Sequence, residues 1–351
     1  MGFSNRILGR KNQNGGPHID SVSPSFALAG GQVRINGSGL RPPEFVRPKV
    51  KFGEHEGSIV VSSDAFLVTR VPEGATSGQV VVATDGHVSN GQTVKVAVTI
   101  TDNLHLVTNP TIDPEGNIYA TFSGSRGQKV PVALYKIDTN YSIKPLATEM
   151  MNATSIAFDR QGHMYVSSRF DGAVYRVAPN GTMTTYAEGM GVATGIAFDR
   201  EESLYVGDRN GTIFKISRDQ QVFVFATLEV SVSAYHLAFS PQGDLYVTGP
   251  NDRVFKIDPA GTVTTFYRGL GRPQGLAFDA DSNLYVAASL GGTRGIVKIT
   301  PDGQARLEVS GQGLVGLAFA PGRSVVLATS NAVHHLSWNI QGHRLIPELT
   351  V

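Results

Sequence analysis

Four arginines are the residues of this chain best suited to bind an anion. Arg126, Arg169, Arg209 and Arg294 each lie in a short polar stretch, within SGSRGQK, SSRFDG, GDRNG and GGTRG. A guanidinium group pairs through two parallel hydrogen bonds with a planar anion such as a carboxylate or a phosphate. The sequence therefore predicts a site for a small anionic ligand or a sugar acid, if the fold brings these stretches together.

A second interpretation treats the same arginines as ordinary surface residues. Arginine is common in exposed turns, and Asp171 and Asp208 stand close enough in sequence to neutralise Arg169 and Arg209. Replacement of both arginines by alanine distinguishes the two interpretations, because only the first predicts that anion binding is abolished.

The elements that carry these arginines come from a repeat of about forty residues. Five copies contain a phenylalanine in the same place and an earlier copy lacks it. The copies are TIDPEGNIYA (111–120), SIAFDRQGHMYV (155–166), GIAFDREESLYV (195–206), HLAFSPQGDLYV (236–247), GLAFDADSNLYV (275–286) and GLAFAPGRSVVL (316–327). This period, with four short strands per unit, is typical of a β-propeller blade. The sequence predicts a six-bladed propeller over residues 109–351.

The propeller geometry predicts which residues surround the arginines. The inner strand of a blade begins on the same face as the loop between its second and third strands, where the arginines lie. The residues three or four positions before the repeated phenylalanine are therefore predicted to line the mouth of the central channel; they are Thr154, Thr194, His236 and Gln274. The recurring phenylalanine and tyrosine are predicted to pack between neighbouring blades.

The N-terminal part of the chain shows a different all-β pattern. Residues 17–100 alternate short strands of period two with glycine and proline, which predicts an immunoglobulin-like β-sandwich. Residues 1–16 are predicted to be a flexible arm, and residues 101–108 a short connector. The sequence allows two ways of closing the propeller ring. The outer strand of the last blade could come from the C-terminal HRLIPELTV (343–351), or from the strand-like TVKVAVTI or LHLV before the repeats.

Both parts resemble known families. IDSVSPSFALAGGQVRINGSGL, followed by VKFG and VTRVPEGATSGQVVVAT, resembles the IPT/TIG immunoglobulin-like domain throughout. Such domains serve as spacers and interaction modules in bacterial proteins, which implies attachment or self-association here. The repeats resemble NHL-type six-bladed propellers and, in blade layout, the calcium-dependent gluconolactonase and senescence-marker-protein family.

The lactonase resemblance implies a divalent metal held by Glu, Asn and Asp side chains near the starts of the inner strands. Calcium prefers several oxygen ligands with carboxylates among them. The matching positions, which include Thr154, Thr194, His236 and Gln274, carry no carboxylate. The sequence therefore predicts no catalytic residue, no metal site and no cofactor, with calcium expected only if the protein is a lactonase.

Composition excludes several other classes of function. The chain has 30 basic and 29 acidic residues and no cysteine, so no disulfide or thiolate metal site can form. No apolar run reaches the length of a membrane span, and no signal peptide is recognised, so a cytoplasmic location is the default expectation. One basic cluster, Arg41, Arg47, Lys49 and Lys51, is diluted by glutamates, and we expect no nucleic-acid binding.

These observations favour a non-catalytic binding or scaffold protein. Its propeller channel face is predicted to be the recognition surface, and the sandwich with the arm the element for attachment to a protein partner or for self-association. The alternatives are a metal-dependent, lactonase-like hydrolase acting at the channel mouth, and a structural subunit of a larger assembly.

Overall fold

A computed structural model describes residues 16–41, 47–124, 128–147, 150–230, 233, 235–249 and 251–343. The described residues form β-strands joined by turns, without a helix. They divide into two compact units, one ending at Val96 and one beginning at Ala97. Within the described part of the chain, no helix has the length and apolar character needed to cross a membrane. The predicted N-terminal arm lies outside the described residues except for Gly16.

The first unit contains nine strands. They are β1 His18–Ser23, β2 Phe26–Ala27, β3 Gln32–Ser38, β4 Lys49–Phe52, β5 His55–Ser62, β6 Phe66–Arg70, β7 Gly78–Thr84, β8 His87–Val88 and β9 Gln92–Val96. The order β1-β3-β6-β5-β4-β7-β9 is antiparallel throughout, and β5 passes from one sheet to the other.

Period-two alternation explains why these segments fold as a sandwich. In β3 the side chains of Val33 and Ile35 point inward, and Val80 and Val82 do the same in β7. They share one apolar core with Leu67. In the basic cluster of this domain, Lys49 forms an ion pair with Glu56, with 3.7 Å between Lys49 Nζ and Glu56 Oε2.

The second unit is a propeller of six four-stranded blades. Blades one to three contain β11 Thr111–Ile112, β12 Ile118–Thr121, β13 Leu134–Ile137, β14 Ile143–Ala147; β15 Ala153–Phe158, β16 Met164–Ser168, β17 Ala173–Val177, β18 Met183–Ala187; and β19 Ala193–Phe198, β20 Leu204–Asp208, β21 Thr212–Ile216, β22 Val222–Thr227. Blades four and five contain β23 His236–Phe239, β24 Leu245–Thr248, β25 Arg253–Ile257, β26 Val263–Arg268; and β27 Leu276–Phe278, β28 Leu284–Leu290, β29 Thr293–Ile299, β30 Ala305–Ser310. Blade six combines β31 Leu314–Ala320, β32 Ser324–Thr329 and β33 Val333–Ser337 with a strand from before the repeats, β10 Val98–Thr101.

The strand β10 closes the ring. It pairs antiparallel with β33 as the outermost strand of blade six, and Thr99 Oγ1 lies 3.1 Å from His334 Nδ1. The predicted strand TVKVAVTI is thus divided between β9 and β10. The following residues Leu104 and Leu106, in the predicted connector, are buried with side chains of blades one and six. The alternative closing segment, HRLIPELTV, lies outside the described residues apart from His343.

The repeated aromatic residues pack between blades, which confirms their predicted role. The second-strand tyrosine of each of the first five blades makes an edge-to-face contact with the inner-strand phenylalanine of the next blade, at centroid distances of 4.9 to 5.3 Å. Between blades six and one the residues are aliphatic, Val326 and Ile112, within the cluster that holds Leu104 and Leu106. Each propeller core therefore lies between two neighbouring blades.

The repeated aspartate after the phenylalanine fixes the hairpin that follows it. In blade five, Asp279 Oδ1 accepts hydrogen bonds from the backbone N–H of Asp281 (3.0 Å) and Asn283 (2.8 Å). Its other oxygen accepts from Asn283 Nδ2 at 2.8 Å and from the Tyr285 hydroxyl at 3.1 Å. Blades one and two repeat the bond from tyrosine to aspartate. One carboxylate thus ties the turn to the aromatic contact between blades.

Candidate functional site

The predicted channel-mouth residues hold neighbouring blades together. We call the face at which the inner strands begin the start face, and the face at which they end the turn face. On the start face, a hydroxyl from the second strand of one blade donates to the backbone carbonyl of the next inner strand. The pairs are Thr121 to Thr154 (3.3 Å), Ser167 to Thr194 (2.5 Å) and Thr248 to Gln274 (2.5 Å). Blade three has Gly207 at the position of the hydroxyl residue and so lacks this donor. There the hydroxyl of Thr194 donates to the carbonyl of Gly207 at 2.8 Å, within the same blade.

These residues are also hidden from solvent. Thr154, Thr194 and His236 are exposed by 1%, 0% and 4%, while Gln274 is partly buried. Burial, together with the nearby Arg294 cation, lowers the pKa of His236 to about 4, so its imidazole is neutral at physiological pH. The start face is therefore packed at the level of these residues. The sequence predicts that Thr154, Thr194 and His236 line an open channel mouth, and this is corrected here because all three side chains are buried.

Arg294 is held by oxygen atoms of the protein. Its Nε donates to the carbonyl of Leu314 at 3.0 Å, and its Nη1 donates to the carbonyls of Gly271 (3.3 Å) and Arg272 (2.7 Å). Its Nη2 donates to Gln274 Oε1 at 2.5 Å and also to the carbonyl of Leu314. With its donors engaged in this way, Arg294 joins the starts of blades five and six and is a poor candidate for a ligand contact.

Arg169 and Arg209 occupy equivalent positions in adjacent blades. Each directly follows the second strand, and each backbone N–H donates at 3.3 Å to the start of its own inner strand, at Asn152 and Val192 respectively. Both side chains are partly buried. The repeat therefore brings two of the four predicted arginines to the same level of the start face. Arg126 lies outside the described residues.

The two arginines differ in their contacts within the protein. Arg169 Nη2 donates to the carbonyl of Gly124 at 3.0 Å. The Arg209 guanidinium has no hydrogen bond or ion pair to another described residue, although its Nε is buried. The neighbouring Asp208 uses one carboxylate oxygen to accept the backbone N–H of Val192 at 2.8 Å. Asp208 thus fixes the start of blade three, and the predicted neutralisation of Arg209 is not formed within the described residues.

The turn face contains a cavity that sequence analysis did not predict. Its volume is about 520 Å³, and its inner wall includes Ala157, Ala197, Ala238 and Ala277, one from each of four consecutive blades. His343 lies on the wall as well, and burial together with the Arg200 cation lowers its pKa. A signal for this cavity exists in the sequence, because the residue before each repeated phenylalanine is always alanine. A side chain that small leaves the channel open at this level.

The metal site implied by the lactonase resemblance does not match these residues. The starts of the inner strands present hydroxyl, amide and imidazole groups, and the nearby Asp208 binds backbone. Among the described residues no three His, Asp or Glu side chains cluster so as to hold a metal ion. A hard cation such as calcium prefers several oxygen ligands with carboxylates among them, and this donor set does not supply them.

Comparison with known proteins identifies the N-terminal part. Residues 17–108 match the family model of the IPT/TIG domain. No curated protein sequence matches the chain significantly.

Solved structures share the fold at low sequence identity. A gluconolactonase from Xanthomonas campestris is 15% identical with a TM-score of 0.58, covering 68% of this chain and 88% of its own. An auxiliary nutrient binding protein from Bacteroides ovatus is 12% identical with a TM-score of 0.55, covering 94% of this chain and 99% of its own. A catalytically inactive virginiamycin B lyase from Staphylococcus aureus, in complex with quinupristin, is 14% identical with a TM-score of 0.52, covering 87% and 98%. The chain therefore combines an IPT/TIG domain with a β-propeller whose fold these solved structures share.

Proposed function

We propose that this protein is a non-catalytic binding protein whose propeller recognises a small acidic ligand, such as a sugar acid, on its start face. The observation that carries the proposal is the Arg209 guanidinium, which is partly buried and has no acceptor among the described residues, while Arg169 occupies the equivalent position in the preceding blade. A cation removed from water without a partner is costly, and a ligand carboxylate would restore the missing hydrogen bonds. The fold shared with an auxiliary nutrient binding protein is consistent with binding. The IPT/TIG domain would serve for attachment or self-association.

The experiment is calorimetric titration of the full chain with gluconate, with glucose as the neutral control. We expect gluconate to bind and Arg209→Ala to weaken binding at least tenfold, the loss typical of one charge-assisted hydrogen bond or more. The matched control is Arg306→Ala, on the outer strand of blade five, where the arginine already pairs with Glu308 at 2.5 Å. Equal binding by wild type and Arg209→Ala, or equal binding of glucose, would contradict the proposal.

The turn-face cavity supports a second candidate, the binding of a mainly apolar ligand. Its volume lies within the range of small-molecule pockets, and the alanines of its inner wall form a surface that suits the apolar part of a ligand. Charged side chains also line the cavity, namely Asp199, Arg200, Glu201, Lys215 and Asp258. A neutral fluorescent probe, N-phenyl-1-naphthylamine, tests this site. We expect saturable binding that Ala238→Leu abolishes and Arg209→Ala leaves unchanged, and a failure of Ala238→Leu to alter the binding would remove this candidate.

The lactonase alternative has no supporting observation beyond the shared fold. The donor groups at the inner-strand starts do not match the metal that such an activity would require. Hydrolysis of gluconolactone that depends on calcium would nevertheless overturn the non-catalytic proposal.

A further inference from the structure

The outermost strand of blade three exposes a continuous apolar segment. In β22 the side chains of Val222, Phe223 and Val224 are exposed by 41%, 49% and 65%. These values are high for three consecutive large apolar residues at the edge of a sheet. Scattered single apolar residues on a surface need no explanation, but a contiguous group at an edge often marks an interaction site.

The repeat supplies an internal comparison for this segment. Phe223 and Val224 lie opposite Lys215 and Phe214 of the third strand, and the register is conserved in the other blades. The residues at the same two positions are Lys144 and Pro145 in blade one, Thr184 and Thr185 in blade two, Thr264 and Thr265 in blade four, Arg306 and Leu307 in blade five, and Val98 and Thr99 in blade six. Blade three is the blade in which both positions are apolar.

Blades one and five carry residues at these positions that disfavour pairing between sheet edges, namely Lys144 and Pro145 in blade one and Arg306 in blade five. Charged side chains and proline on an outer strand disfavour the addition of a further strand. The strand β22 has none of these, and among the described residues its backbone pairs on one side only, with β21. No charged residue occurs between Asp219 and Glu229. The strand thus keeps an edge able to accept another extended strand.

We propose that β22 is a self-association surface, at which two copies of this chain pair their β22 edges antiparallel across a two-fold axis. An antiparallel pair of identical strands satisfies two-fold symmetry by itself. Pairing centred on Phe223 places the Phe223 side chains of the two copies opposite each other and Val222 of each copy opposite Val224 of the other, so apolar side chains meet each other. The same arrangement leaves Asp219 and Glu229 beyond the paired strands, so no charge is buried.

The contact is small, which determines how the association behaves. One strand edge with three exposed apolar side chains buries less area than a standard stable interface, so the dimer is expected to dissociate on dilution. This inference is independent of the proposed ligand site, because β22 lies at the rim of the propeller and the arginines lie at the inner end of the blades.

Sedimentation velocity over a wide range of protein concentration tests the proposal with three variants of the full chain. Phe223→Thr/Val224→Thr introduces the pair found in blades two and four, and Val224→Pro introduces the residue that blade one carries at the same register position. The control, Val60→Thr/Val61→Thr, removes two valines of the first unit with similar exposure, 49% and 43%.

We expect wild type and the control to form dimers as concentration rises, while both β22 variants stay monomeric with unchanged circular dichroism. Hydrogen exchange should show the β22 amides becoming protected with concentration in wild type and in the control, but not in the β22 variants. Wild type that stays monomeric at every concentration would overturn the proposal. So would β22 variants that dimerise as wild type does, or a control that loses dimerisation to the same degree.

Discussion

The bond between Tyr285 and Asp279 allows a quantitative test of how the blades are stabilised. Tyr285→Phe keeps the ring, which packs 5.3 Å from Phe319, and removes only the hydroxyl that donates to Asp279. Both residues are almost fully buried, at 0% and 3% exposed. A hydrogen bond to a charged acceptor contributes about 1.5–3 kcal/mol, so the free energy of unfolding should fall by about that amount.

Blade four provides the matched control. There serine replaces the aspartate, and its Oγ accepts the backbone N–H groups of the turn. Tyr246 keeps the aromatic contact, 4.9 Å from Phe278, but among the described residues its hydroxyl has no carboxylate acceptor of this kind. Tyr246→Phe should therefore change the unfolding free energy by no more than about 0.5 kcal/mol, as is usual for a change that removes no specific contact.

Urea unfolding followed by tryptophan fluorescence measures both variants. The chain has a single tryptophan, Trp338, whose ring lies 5.2 Å from that of Tyr285 inside the propeller. The signal therefore reports unfolding of the propeller and not of the sandwich. Equal losses in the two variants, or no loss in Tyr285→Phe, would refute the assignment of the stabilisation to the aspartate.

Two further predictions concern the channel. Gly275→Ala should destabilise the propeller by about 3 kcal/mol or more in the same assay, because a Cβ there would lie 1.9 Å from Asn109 Oδ1 and 2.7 Å from Gly316 Cα; a loss below about 1 kcal/mol would show that the inner strands can move apart. The pKa of His236 is lowered from 6.5 to about 4, so the unfolded chain binds more protons between these values and stability falls as pH decreases. Between pH 7 and pH 5 the free energy of unfolding of wild type should fall by roughly 2 kcal/mol because of this group. In His236→Gln the fall over the same range should be smaller by about that amount. Identical pH profiles of the two proteins would contradict the burial argument.

The propeller could be predicted from sequence because its repeat contains the contacts that build it. The phenylalanine, tyrosine and aspartate that recur in most copies predict a core between blades, and the rings of Tyr165 and Phe198 pack in that core with their centroids 5.0 Å apart. The end of the sandwich was harder to place. The strand TVKVAVTI alternates without interruption, so nothing in the pattern shows that Val98–Thr101 pairs with a strand more than two hundred residues later.

The site could be predicted only in part, because position in a repeat does not determine which hydrogen bonds a side chain makes. Arg209 and Arg294 look alike in sequence, each in a glycine-rich turn. In the structure, Arg294 reaches the carbonyl of Leu314 in the next blade, whereas Arg209 meets no such acceptor among the described residues. Likewise, the sequence predicts that Thr194 lines the channel, but its hydroxyl donates a hydrogen bond to the carbonyl of Gly207. The Arg294 contact depends on the neighbouring blade and the Thr194 contact on the adjacent strand of its own blade, and local sequence shows neither.

The origin of β10 has a consequence for how the protein is made. Synthesis proceeds from the N-terminus, so Val98–Thr101 leaves the ribosome long before its partner Val333–Ser337 exists. Blades one to five can assemble in order as they emerge, but blade six stays incomplete until nearly the whole chain has been translated. Dividing the chain after residue 108, where the match to the IPT/TIG family ends, would separate β10, Leu104 and Leu106 from the ring that they close. The nascent propeller must therefore keep its first strand available until the last blade arrives.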